Sequence, residues 1–185
     1  MPRMSLLRRR PPEPSGAAPV GFQCSCCGEW HSQVPLDFHA NAPVGWTEDM
    51  ADREDCELTS DLCIIDGSEF YIRGLVRLPI IGRTEPFVWG VWASLSQASF
   101  DRAVEVWERE GREDSEPAFG WLSTALPTYD TPTVGLKTMV HTQPVGSRPH
   151  IEVEPTGHPL AVEQRAGLPW AAVIERVEQL LHPPE

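Results

Sequence analysis

The stretch from Cys24 to His31 (CSCCGEWH) carries the residue types in this chain that are best suited to binding a metal ion. Cys24 and Cys27 have the C-x2-C spacing, which lets two thiolates of one tight turn reach a single tetrahedral ion at about 2.3 Å. Gly28 follows directly and supplies the backbone freedom that such a turn requires. His31 adds an imidazole four residues after Cys27. The pattern predicts a zinc-knuckle-like turn over residues 24–31.

A closed structural zinc site needs four ligands, and the sequence has no second C-x2-C pair. We expect Cys63 to complete the set of Cys24, Cys27 and His31, with Cys56 as the alternative. Two other interpretations stay open. The thiols can be small core residues without a metal, or the pair can be a redox C-x-x-C, although it does not open a helix of a βαβ unit.

A second group of ionisable residues lies towards the C-terminal end of the chain. Its members are His141, His150, Glu152, Glu154, His158, Glu163 and Arg165. An alternative function is a metal-assisted hydrolase that uses His141, His158 and Glu163, with Arg73 or Arg165 orienting an anionic substrate. This hypothesis requires the side chains to meet in one pocket. The other interpretation is that they are hydrogen-bonded polar residues at strand ends and a helix cap.

Composition restricts the class of partner. The 185 residues include 27 acidic and 15 basic side chains, which gives a formal net charge of -12. Binding to a phosphate backbone needs a surplus of Lys and Arg, so no nucleic-acid partner is expected. No stretch approaches the roughly 18 apolar residues of a membrane-spanning helix, so no membrane partner is expected either. An unknown protein or small molecule remains as the partner.

The N-terminal residues differ in composition from the rest of the chain. Residues 1–21 are rich in Arg and Pro and lack the apolar segment of a secretory signal, so we expect a disordered tail. Residues 22–185 are expected to form one domain. The five cysteines are an odd number, which disfavours an extracellular disulfide framework and favours a cytoplasmic protein with reduced thiols.

The remaining elements predict an α+β fold. A hairpin is expected from Leu62–Ile65 and Phe70–Leu78 around Asp66-Gly67, followed by a buried strand over 86–95. Further strands are expected over 136–142 and 150–154, whereas residues 117–126 are ambiguous. We predict an antiparallel sheet with a Cys-rich N-terminal turn, covered on one side by a mid-chain helix and a C-terminal helix.

The helix boundaries follow from capping residues. The mid-chain helix is predicted from a cap at Ser99 to Gly111. His158-Pro159 is expected to open another helix, and the last helix is predicted from Pro169 to His182.

Several ordered segments together resemble one family. They are CSCCGEWH at 24–31, SDLCIID at 60–66, FYIRG at 70–74, WGVWASLS at 89–96, FGWL at 119–122, LKTMVH at 136–141 and HPLAVEQ at 158–164. The chain resembles the bacterial family catalogued as domain of unknown function 2199, over about Phe22 to His182. The resemblance implies that Cys24, Cys27, Gly28, His31 and Cys63 occupy positions of the family pattern. It implies no activity and leaves the zinc question open.

Taken together, the sequence predicts a zinc-stabilised binding or interaction domain without catalysis of its own.

Overall fold

The computed structural model describes residues 21–183. The chain divides into two compact units, one that ends at Val34 and one that begins at Pro35. The predicted disordered tail, residues 1–21, lies outside the described residues except for Gly21. The first unit is therefore described over residues 21–34 and the second over residues 35–183.

The N-terminal unit is a short antiparallel ribbon. Strand β1 (Phe22–Gln23) pairs with β2 (Trp30–His31), with Phe22 opposite His31. The cysteine motif forms the turn between the strands, so the ribbon brings the two ends of the motif close to each other.

The second unit has one sheet of eight strands. They are β3 (Asp37–His39), β4 (Glu57–Leu58), β5 (Leu62–Ile65), β6 (Glu69–Leu78), β7 (Phe87–Leu95), β8 (Ala118–Leu122), β9 (Lys137–His141) and β10 (His150–Val153). Their order is β3-β7-β8-β9-β10-β6-β5-β4, and a further pairing of β6 with β7 closes a ring. The ring is a closed five-stranded barrel of β6 to β10. Strand β3 adds beside β7, and the β4–β5 pair adds beside β6.

The α+β class is confirmed, but the predicted simple antiparallel sheet is wrong. The sheet closes because His150 of β10 pairs in parallel with Leu75 of β6. The other four pairings of the barrel are antiparallel. The alternation of polar and apolar residues along a strand shows which residues share a face of the sheet. It does not show which distant strand pairs with the edge of the sheet and closes it.

The predicted hairpin is confirmed. Strands β5 and β6 pair from Leu62 opposite Ile72 to Ile65 opposite Glu69. Asp66 and Gly67 have φ values of 52° and 61°, and Ser68 N–H donates to the Ile65 carbonyl at 3.1 Å. Positive φ at both central residues is the conformation that Asp-Gly tolerates, which explains why this dipeptide marks the turn.

The barrel interior is apolar. Val76 and Leu78 of β6 lie opposite Trp89 and Phe87 of β7, and these four side chains are at most 3% exposed. Gly74 lies on the same face, where an added Cβ would approach Ile151 at 2.6 Å. The two-residue period of the strands therefore fills the inside of the barrel with hydrophobic side chains.

A second hydrophobic cluster covers part of the outer face of the sheet. It consists of Cys63, Ile65, Tyr71 and Trp92, with Ala40, Trp46, Met50, Cys56 and Leu58 packed against it. The Trp92 indole N–H donates to the Ala40 carbonyl at 3.2 Å. The strand over 86–95 was expected to be buried on both faces, and this cluster is why Trp92 is buried although it points away from the barrel interior.

The first helix starts earlier than predicted. Helix α1 (Gln97–Glu105) has its N-cap at Ser96 rather than Ser99, because the Ser96 side chain accepts from the Ser99 N–H at 3.2 Å. The helix ends at Glu105, before the predicted Gly111. Its Phe100 ring contacts the Phe70 ring of β6, with centroids 5.2 Å apart.

Two further helices follow the barrel. Helix α2 (Pro159–Ala166) begins after His158, as predicted, and packs against β6 and β10. Helix α3 (Trp170–Leu181) begins one residue after Pro169, which serves as its N-cap instead of its first residue. No helix in residues 21–183 combines the length and the apolar character needed to cross a membrane.

Candidate metal centre

The turn between β1 and β2 is held by its own backbone. The Cys24 N–H donates to the Glu29 carbonyl at 2.9 Å, and the Gly28 N–H donates to the Cys24 carbonyl at 3.1 Å. Gly28 has φ of 73°, a conformation that costs glycine little and other residues more. These bonds fold residues 24–29 back on themselves, which turns Cys24 and Cys27 towards each other.

Three ligand atoms meet at this turn. The sulfurs of Cys24 and Cys27 and a ring nitrogen of His31 all lie within 4.8 Å of one another. Cys27 Sγ is 3.5 Å from His31 Nε2. A tetrahedral zinc ion with bonds of about 2.3 Å to sulfur and about 2.05 Å to nitrogen separates such ligands by about 3.6 Å. The separation of Cys27 Sγ from His31 Nε2 therefore matches the spacing of zinc ligands, and the other two separations are at most 4.8 Å.

The His31 ring is positioned by the ribbon. It stacks on the Phe22 ring, with centroids 5.0 Å apart and planes at 15°, because the two residues are opposite each other in β1 and β2. Phe22 is 6% exposed and Cys24 is 1% exposed, whereas Cys27 is exposed. The group therefore has one buried sulfur and one sulfur that solvent reaches.

The Cys27 thiol is not activated by its surroundings. A backbone hydrogen bond at Glu29 lowers the pKa of Cys27, but desolvation and the neighbouring Cys24 sulfur outweigh it, so the net shift of the pKa is upward. Two adjacent thiols resist ionising together unless a cation compensates their charge. A thiol with a raised pKa is not set up as a reactive nucleophile.

The predicted fourth ligand, Cys63, lies in the second unit. It is fully buried in the outer cluster beside Ile65, Tyr71 and Trp92. Burial raises the pKa of its thiol to about 12, and the nearby Cys56 contributes in the same direction. A thiol in apolar surroundings is the environment of a core residue, and it opposes formation of the thiolate that zinc binds.

The alternative fourth ligand, Cys56, belongs to a different group. Its sulfur accepts from the Asp66 N–H at 3.3 Å and lies near the carboxylates of Asp55 and Asp66. Arg53 already pairs with both carboxylates, at 2.9 Å and 2.6 Å. An arginine therefore supplies the positive charge that this acidic group needs.

The sequence of the whole chain was compared with known proteins. A family model described as an uncharacterized protein conserved in bacteria (DUF2199) matches residues 23–168. The chain belongs to this family. No curated protein and no solved structure matches the chain.

The match to DUF2199 covers the Cys-rich turn and the whole barrel, but it ends at Leu168, before α3. The predicted membership is confirmed over a shorter range than the expected Phe22 to His182.

The residues of the hydrolase hypothesis fall into separate sets of contacts in this DUF2199 chain. His141 Nε2 lies 2.8 Å from a carboxylate oxygen of Glu152, and its ring is 5.9 Å from the His150 ring. These three residues share the outer face of β9 and β10 because they are register neighbours. The contacts of His141 therefore include neither His158 nor Glu163.

His158 and Glu163 have structural partners of their own. His158 Nδ1 accepts from the Leu160 N–H at 3.1 Å and caps α2, so its other nitrogen donates to the Thr131 carbonyl at 3.2 Å. Glu163 receives two hydrogen bonds from Arg176, at 2.9 Å and 3.1 Å. These contacts agree with the other interpretation given above, in which the residues are a helix cap and hydrogen-bonded polar side chains.

The two predicted substrate arginines are also apart. Arg165 donates to the carbonyls of Val153 and Thr156 at 3.4 Å. Arg73 donates to the Ser60 carbonyl at 3.3 Å and lies 5.8 Å from the centre of the Trp92 ring. Arg73 also lies near Arg148 and Asp61, which line a large cleft.

This cleft was missed by the sequence analysis. It has a volume of about 590 Å³ and lies entirely in the second unit. Its lining includes His39 of β3, Arg77 of β6, Arg112 of a short 3-10 helix (Arg112–Asp114) and Arg148 of a later loop. One signal was present in the sequence, because Arg73 and Arg77 are four residues apart in a strand and therefore share a face.

Proposed function

We propose that Cys24, Cys27 and His31 hold one structural zinc ion, and that the chain is a binding domain without catalysis of its own. The observation that carries the proposal is the convergence of two sulfurs and an imidazole nitrogen within 4.8 Å. Thiolates and imidazole are the ligands that Zn²⁺ takes in structural sites.

The small size of the N-terminal unit supports a structural role for the ion. Its ribbon consists of two strands of two residues each, and within residues 21–34 only Phe22 and Cys24 are buried hydrophobic side chains. A two-stranded ribbon is marginal in water by itself, and so little apolar burial cannot offset the entropy of ordering the turn. Metal binding adds free energy to the folded turn directly.

A tetrahedral ion would take its fourth ligand from a water molecule or a further side chain. Cys63 was expected there, but its burial in an apolar cluster and its raised pKa argue against it. The partner that the domain binds is proposed to be a protein or a small molecule. A cytoplasmic location would keep the thiols reduced and available to the ion.

The first test measures zinc in the purified full chain. We expect about one zinc per chain, lost in Cys24→Ser and Cys27→Ser together with a lower melting temperature. Cys26→Ser is the matched control, because Cys26 lies in the same turn but outside the ligand group, and it should keep its zinc. Metal-free protein with unchanged stability, or equal loss of zinc in Cys26→Ser, would overturn the proposal.

The second test counts the thiolates. Cobalt in place of zinc should give a charge-transfer absorption with the intensity of two thiolates. Cys63→Ala should leave this absorption and the metal content unchanged, since Cys63 is assigned to the core. An intensity for three thiolates that falls to two in Cys63→Ala would return Cys63 to the ligand set and contradict the assignment made here.

A further inference from the structure

The floor of the cleft is the outer face of β3, β7 and β6. His39 lies opposite Gly90, and Gly90 lies opposite Leu75, so the three residues form one row. Asp37, Val88 and Arg77 form the next row. Register neighbours share a face, so Asp37, His39 and Arg77 point away from the barrel interior into the cleft that they line.

The wall of the cleft is anchored by Arg112. Its side chain is 4% exposed, and its guanidinium donates to the carbonyls of Gln143 and Ser147 at 2.8 Å and to those of Trp107 and Pro144. No carboxylate is among these partners. Within residues 21–183 the guanidinium has no ion-pair partner, so its positive charge adds to the potential in the cleft.

Two of the acidic groups in the cleft are already paired. Asp61 lies 2.6 Å from Arg148, and Asp37 lies 2.8 Å from His39. Although burial opposes the charged form of Asp61, the hydrogen bonds from Arg148 and Ser60 keep its pKa below the usual range. Asp61 is therefore engaged by Arg148, whereas Asp37 keeps its negative charge unless His39 is protonated, and Glu108 is a third carboxylate of the lining.

Arg77 differs from the other two arginines of the lining, of which Arg148 is paired with Asp61 and Arg112 is held by carbonyls. Among the described residues, its half-buried guanidinium forms no ion pair and no side-chain hydrogen bond. Arg73, next to the cleft, also has a buried Nε without a hydrogen-bond partner in residues 21–183. Burial and the nearby Arg148 lower the pKa of Arg73, and Asp61 and Asp37 act in the opposite direction.

We infer that this cleft binds a small organic anion, with its carboxylate or phosphate on Arg77 and its apolar body against Trp107 and Leu75. Three arginines, Arg77, Arg112 and Arg148, line the cleft although the chain carries a net charge of -12. Clefts of several hundred cubic ångströms are of the size that takes small molecules. Arginine is the side chain whose planar fork matches carboxylate and phosphate. The inference goes beyond the zinc site and does not depend on it.

The test titrates the full-length protein with phenyl phosphate and follows the heat of binding. Inorganic phosphate and phenol are the partial probes, because one lacks the apolar body and the other lacks the anion. Phenyl phosphate should bind with millimolar or tighter affinity, and each partial probe should bind more weakly. Benzoate in place of phenyl phosphate distinguishes a carboxylate site from a phosphate site.

Two substitutions give effects of opposite sign. Arg77→Gln should weaken the binding of phenyl phosphate about tenfold or more, because it removes a charge-assisted hydrogen bond. Asp61→Asn should tighten binding several-fold, because it removes a negative charge and frees Arg148 for the ligand. A variant that misfolds cannot tighten binding, so the second substitution guards against misinterpretation of the first.

Arg109→Gln is the matched control, because Arg109 is exposed and pairs with Glu105 outside the cleft. It should bind phenyl phosphate as the wild type does. The inference is overturned if phenyl phosphate gives no saturable heat at millimolar concentration, or if Arg77→Gln binds as tightly as Arg109→Gln. Removal of zinc by a chelator should leave this binding intact, so failure here and failure at the metal site can be told apart.

Discussion

The imidazole of His39 presents its Nδ1 edge to Gly90 on the neighbouring strand. A Cβ built on Gly90 would lie 1.8 Å from His39 Nδ1, a separation that two non-bonded heavy atoms cannot adopt. Glycine is therefore required at this position by the histidine beside it. The contact also fixes the ring so that its Nε2 reaches Asp37 at 2.8 Å.

Gly90→Ala should consequently destabilise the fold by about 1–3 kcal/mol, the usual cost of overpacking. Chemical denaturation measures this loss. Gly157→Ala is the control, because an added Cβ meets nothing within 4 Å there, and its stability should change by less than about 0.5 kcal/mol. Addition of His39→Ala to Gly90→Ala should restore most of the loss. If it does not, the steric explanation is wrong.

Glu163→Gln should cost about 3–5 kcal/mol, because it leaves the buried Arg176 without its counter-charge. The two side chains are 20% and 9% exposed, and the ion pair is bidentate. Thermal and denaturant unfolding both report the change. Glu105→Gln breaks the exposed pair with Arg109 and should change stability by less than about 1 kcal/mol. Equal effects of the two substitutions would contradict the structural role given to Glu163.

His150 predicts a loss of stability in mild acid. Burial lowers the pKa of His150 below its ordinary value of 6.5, and the positive charge of Arg77 and the nearby His141 act in the same direction. The unfolded chain therefore takes up the proton more readily than the folded chain. The stabilising contribution is present above about pH 6.5 and is lost as the pH falls through the lowered pKa of the folded state.

The measurement compares denaturation midpoints at several pH values from neutral to mildly acidic. His150→Asn should lose less stability than the wild type as the pH falls, because the asparagine cannot be protonated. The contributions of other acidic groups, such as Asp61, are common to both proteins and cancel in the difference. Parallel pH profiles of the two proteins would contradict the assignment to His150.

The local features of the fold could be predicted from the sequence, whereas the long-range ones could not. Asp66-Gly67 marked its hairpin because two successive positive φ values restrict the residue types at a turn. Cys24, Cys27 and His31 lie within eight residues, so their convergence is a property of one turn.

The remaining site residues depend on tertiary contacts. Cys63 was predicted as a ligand from its residue type, its place in the hairpin and the family resemblance, whereas the structure places it in a hydrophobic cluster with Trp92 and Tyr71. Arg77 and Arg112 meet at one cleft only because the barrel and the 143–148 loop bring them there. Sequence periodicity cannot predict this proximity. It shows on which face of a strand or helix a residue lies, but not which distant residues lie next to it.

Neighbouring strands of the barrel differ in the number of residue pairs that connect them. Nine residue pairs connect β6 with β7, whereas β6 and β10 are matched by one pair, with a backbone bond from the Leu75 N–H to the Pro149 carbonyl at 2.8 Å. Local opening should therefore begin where β6 pairs with β10. The Leu75 amide should exchange its hydrogen for deuterium sooner than the amides in the middle of β7. Leu75 also lines the cleft. A ligand bound in the cleft should therefore oppose this local opening, and slower hydrogen exchange at the Leu75 amide would detect the binding.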